Sequence, residues 1–70
     1  MTNHQKLQFF NLLAEGKLNV EQYNEDFADT HQWEIQEIGE IPYGDGDIGV
    51  CANWWGSTLI GAIIEWSKDQ

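Results

Sequence analysis

The chain has 70 residues, a single cysteine and a net charge of −9, set by twelve Asp and Glu against three lysines and no arginine. That length allows one domain spanning 1–70, and a domain this small buries only about 60% of the surface its unfolded chain exposes. One cysteine excludes an internal disulfide and a Cys-x-x-Cys zinc site, and so few cations exclude direct contact with nucleic acid or an anionic membrane.

The first helix is expected over residues 3–15, stopped by Gly16, which readily takes the left-handed conformation that ends a helix. Its apolar residues, Leu7, Phe9, Phe10, Leu12, Leu13 and Ala14, spread over roughly 220° of the helix circumference, about twice an ordinary core-facing stripe. One sheet face cannot cover that arc, so part of it is expected to meet a second helix or another chain. No basic segment precedes this apolar run, so no secretory signal is expected. The longest apolar stretch, 59–64, is far too short to span a bilayer. The expectation is a cytoplasmic protein, in the host cytosol if the chain is viral.

A second helix is expected after Asn19, an N-cap residue with Gln22 at the capping-box position. Val20, Tyr23 and Phe27 would line its inner stripe, with Glu21, Glu25, Asp26 and Asp29 as an acidic ridge on the other side. His31 follows near its end, without partners in sequence to suggest a catalytic or metal role.

Beyond Gln32 the β-branched and aromatic residues, punctuated by Gly, Pro and Asp, read as strands at 33–41, 48–55 and 58–66. The Pro42–Asp47 segment makes the first turn, with Ile41 opposite Ile48. Gly56-Ser57 reads as a two-residue turn pairing Trp55 with Thr58. The fold class is then α+β, two N-terminal helices packed on one face of a three-stranded antiparallel meander, in the order ααβββ. In this register Ile48, Val50 and Trp54 face the helices. Trp55 and Trp66 face outward, and Ile60 and Ile64 sit on an edge strand suited to self-association.

No cofactor, metal or catalytic residue is expected. The 43–47 loop offers Asp45 and Asp47, with Glu40 nearby, too few oxygens for calcium, and turn chemistry accounts for its glycines. Cys51 lacks a thiolate-stabilising neighbour and reads as inert.

The informative feature is the placement of charge: residues 21–47 hold nine acids and no lysine. A basic protein surface is the partner such a stretch fits. The contact residues expected are Glu21, Glu25, Asp26, Asp29, Glu34, Glu40, Asp45 and Asp47, with Trp55 and Trp66 as apolar anchors. In composition alone the chain resembles the compact acidic inhibitors of phages and mobile elements. It is therefore expected to be a non-enzymatic inhibitor that mimics nucleic acid in the basic groove of a nuclease, a CRISPR or restriction complex, or a polymerase. Two alternatives are an immunity or antitoxin protein that neutralises a basic toxin, and a module that self-associates through its C-terminal strand into a homodimer.

Overall fold

The first helix, α1 (Asn3–Ala14), is closed at both ends by the residues beside it. The Thr2 hydroxyl accepts from the Gln5 amide at 3.1 Å, and Gln5 Oε1 accepts from the Thr2 amide at 2.9 Å, a reciprocal capping box. At the other end Gly16 has φ 76°. The Lys17 and Gly16 amides donate back to the Leu12 and Leu13 carbonyls at 2.9 and 3.1 Å, completing a Schellman motif.

That reversal leads into a strand, not a second helix. The computed structural model, which describes residues 1–23 and 29–70, continues with β1 (Leu18–Gln22), a short 3-10 helix (Asp29–His31), β2 (Trp33–Glu40), β3 (Ile48–Gly56) and α2 (Leu59–Lys68). The order is αβββα, with one helix at each end, and it corrects the expected ααβββ. In β1 buried Leu18 and half-buried Val20 alternate with exposed Asn19 and Glu21, a period of two. Pairing with β2, in which Val20 lies opposite Ile35, outweighs the local helix-start signal at Asn19. Of the expected acidic ridge, Glu21 is therefore on a strand and Asp29 opens the 3-10 helix. Glu25, Asp26 and Phe27 lie outside the described residues.

The second correction is α2. Thr58 is its N-cap, its hydroxyl accepting from the Gly61 amide at 3.0 Å. Leu59, Ala62, Ile63 and Trp66 recur at i, i+3, i+4 and i+7, a helical stripe that turns Ala62, Ile63 and Trp66 into the core. A strand would have divided the same residues between two faces. Gly56 is not a hairpin residue: a Cβ there would meet the Ala62 amide nitrogen at 2.4 Å and the Gly61 carbonyl carbon at 2.8 Å. Its missing side chain lets the end of β3 lie against the first turn of α2.

The sheet order is β1-β2-β3, antiparallel throughout, with β2 central. Far from the hairpin the expected register holds, with Ile35 opposite Trp54 and Glu34 opposite Trp55. Near the hairpin it shifts by one, because Glu37 pairs with Ala52 but Ile38 with Val50, leaving Cys51 as an inserted residue. The bulge moves Ile48 and Val50 to the face opposite the helices, which corrects their expected place in the core.

Both helices pack on the other face. Phe9, Leu18, Ile35, Ala62, Ile63 and Trp66 form the buried cluster, with Leu12, Leu13, Val20, Trp33, Trp54 and Leu59 around it. The Phe9 and Trp66 rings meet edge-on, centroids 5.2 Å apart, joining the two helices. Trp54 keeps its indole N–H satisfied by donating to Asp69 Oδ2 at 2.5 Å.

Candidate protein-binding surface

The helix-free face of the sheet has two different halves. By strand alternation it carries Asn19 and Glu21 from β1, Glu34, Gln36, Ile38 and Glu40 from β2, and Ile48, Val50, Asn53 and Trp55 from β3. One half is roofed. Tyr23 and His31 come over Trp55, with ring centroids 5.4 and 5.1 Å from the indole. Beneath them Glu34 is only 4% exposed. Its Oε1 accepts from the Tyr23 hydroxyl at 2.6 Å and from Gln36 Nε2 at 2.9 Å, and its Oε2 accepts from Asn53 Nδ2 at 2.9 Å.

Neutral donors thus hold a buried carboxylate, each bond stronger than one between two neutral groups. The same arrangement locks the phenol. The hydrogen bond to Glu34, reinforced by desolvation and by the negative charges of Glu34 and Glu21, pushes the Tyr23 pKa from 10.0 to about 12. Glu34, expected at a partner contact, is instead a buried acid that fixes the Tyr23 ring on the sheet.

The other half is open, and it continues into the β2–β3 loop. Two turns share Gly44. Its amide donates to the Ile41 carbonyl at 3.0 Å, and its own carbonyl accepts from the Asp47 amide at 2.9 Å. In the second turn Asp45 and Gly46 have φ values of 51° and 92°. Positive φ at both central positions defines the type I′ geometry that Asp-Gly favours. The first turn projects Tyr43 into solvent, 99% exposed. Behind it on the open face Ile48 is 69% exposed and Val50 lies beside it, with Glu40 opposite Ile48. Glu40, Asp45 and Asp47 are all exposed on this hairpin. The lysines do not neutralise them: Lys17 pairs with Glu15 at 3.2 Å and Lys68 with Glu65 at 2.8 Å.

The structure therefore divides the residues singled out from the sequence. Glu40, Asp45 and Asp47 come together at the hairpin. Glu21 and Asp29 are exposed, on β1 and the 3-10 helix, and Trp55 is half-buried under the aromatic roof. Trp66, expected on the surface, lies in the core because α2 is helical. Ile60 and Ile64 are exposed as expected, but on a helix and not on a strand edge. Tyr43, Ile48 and Val50 escape the sequence reading. Tyr43 was legible in principle, because an aromatic between Pro42 and Gly44 in a turn has no core to enter, whereas the bulge that exposes Ile48 and Val50 leaves no mark in the sequence.

Among the described residues no group of three or more His, Cys, Asp and Glu side chains is placed to hold a metal ion. No helix among them is long and apolar enough to cross a membrane. A concavity of about 270 Å³ between α1, β1 and β2 is lined by Leu12, Lys17, Leu18, Glu37, Trp66 and Gln70. It falls just below the usual size of small-molecule sites. Cys51 is exposed, its Sγ 3.3 Å from the Glu40 carbonyl oxygen. No protein-family model, curated protein or solved structure matches the chain.

Proposed function

We propose that the chain is a non-enzymatic protein-binding module that presents its β2–β3 hairpin to a basic protein surface. The observation that carries this reading is that one hairpin exposes Ile48 and Val50 on the open face, Tyr43 in its loop, and the acids Glu40, Asp45 and Asp47. An aromatic anchor with a charged rim is the usual composition of a protein contact site. Acids in the rim accelerate encounter with a positive surface and reject negative ones. The basic groove of a nucleic-acid-processing enzyme has the charge this surface requires, and occupying it would make the protein an inhibitor.

The test is affinity capture with the immobilised chain at low salt, alongside two variants: Tyr43→Ala, and the triple neutralisation Glu40→Gln, Asp45→Asn, Asp47→Asn. Asn is well tolerated at the positive φ of position 45, so the triple variant should keep its turn. Basic proteins held by the wild type and lost from both variants support the proposal. Equal capture by all three contradicts it. Release of the captured protein by excess duplex DNA supports occupation of a nucleic-acid groove. Retention under DNA favours a basic partner of the toxin class.

A further inference from the structure

The helical layer carries a second exposed apolar surface of opposite character. On α1 the apolar arc is divided: Phe9, Leu12 and Leu13 turn toward the core, while Leu7, Phe10 and Ala14 are exposed. At roughly 100° per residue these last three fall within about 60° of one another on the outer side. Phe10 is 65% exposed and Ile60 of α2 is 63% exposed. Met1, Lys6, Phe10 and Ile60 border one shallow groove of about 150 Å³ between the helices, with the more buried Phe9 and Ile63 also lining it. Ile64, one turn beyond Ile60, extends the surface along α2.

We infer that this face joins two copies of the chain into a homodimer. Charge identifies the occupant. Of the twelve acids the helices hold only Glu65, with Glu15 and Asp69 as their C-caps. Lys68 pairs Glu65 at 2.8 Å, Lys17 pairs Glu15 at 3.2 Å and Lys6 offsets Asp69, which leaves the layer close to neutral. Two chains of net charge −9 repel through the sheet and hairpin, and the helical layer is the side on which they approach with least repulsion. A basic partner gains nothing there, because the face offers it no acid to pair. A second copy covers like with like across a two-fold axis, Phe10 and Ile60 of each chain meeting the helices of the other. Stability points the same way. Six residues form the buried apolar cluster among those described, and domains of this size commonly gain stability by associating. The arrangement leaves both hairpins free and does not depend on what they bind.

Light scattering of the 70-residue chain tests this, from micromolar to near-millimolar concentration and at low and high NaCl. The expected result is a mass that rises to twice the chain mass, with the midpoint moving to lower concentration as salt screens the repulsion. Phe10→Glu and, separately, Ile60→Glu should each weaken dimerisation more than about tenfold. Both side chains lie outside the core, so the far-ultraviolet circular dichroism of the monomeric variants should match the wild type. Tyr43→Ala should dimerise normally. A wild type that stays monomeric throughout overturns the inference, whatever else the face is found to bind. So does a dimer that survives both substitutions.

Discussion

Glu34 and Tyr23 show how a residue's neighbours decide its role. An acid in an acidic stretch reads as surface, yet Glu34 accepts three hydrogen bonds and is buried. Tyr23→Phe removes the 2.6 Å bond and leaves Glu34 Oε1 with Gln36 alone. Chemical denaturation should show the variant to be less stable than the wild type, because a hydrogen bond to a charged group is lost. The raised phenol pKa adds a pH signature with a definite sign. Between pH 10.0 and about 12 the unfolded tyrosine is ionised while the folded one keeps its proton. The unfolded state then binds fewer protons, so stability present below pH 10.0 falls through this window. Ultraviolet titration should show a tyrosinate forming near pH 12 in the wild type that is missing in Tyr23→Phe. Gly56 is the other telling residue, since any side chain there meets the backbone of α2. Gly56→Ala should cost about 1–3 kcal/mol, as overpacking commonly does, measured by thermal melting.

Which elements were legible follows from how local their signals are. The stop of α1 was legible at Gly16; its start is fixed just as locally, by the Thr2–Gln5 box, a signal the sequence reading did not use. The β2–β3 hairpin was legible through the Pro42–Asp47 turn segment, and its far register came out as expected. Two elements were not. β1 holds only one buried and one half-buried apolar residue, and its strand state depends on pairing with a segment over ten residues away. In α2 three isoleucines and the preceding Gly-Ser imitate a strand entered through a tight turn, although the i, i+3, i+4, i+7 stripe ending at Trp66 was present in the sequence. A short apolar run does not reveal its period until something covers one side of it. That difference is measurable at single residues. Trp66→Ala should cost about 3–5 kcal/mol, as for other large-to-small changes in a core. In the dilute, monomeric chain Ile60→Ala on the outer side should change stability by no more than about 0.5 kcal/mol, as is usual at exposed positions. Had α2 been a strand facing outward at Trp66, the tryptophan would have been the tolerated site.

At the scale of the whole molecule the fold sorts charge. The sheet and its hairpin carry six acids and no lysine, and the two helices hold only Glu65. The proposed function differs in form from the one expected from the sequence. The acidic surface proposed for a partner is a hairpin with an aromatic tip, not a helical ridge, and the proposed self-contact is a helical layer, not a strand edge. The two contacts should respond to salt in opposite directions, because one brings unlike charges together and the other like charges. The most direct test of the central proposal is therefore the association rate of the chain with its captured basic partner, followed across NaCl concentration. The wild type should bind fastest at low salt and slow steeply as salt rises, whereas the Glu40→Gln, Asp45→Asn, Asp47→Asn variant should bind slowly and almost independently of salt. A wild-type rate indifferent to salt, or a triple variant as fast as the wild type, would contradict the proposal that the acidic hairpin is the working surface.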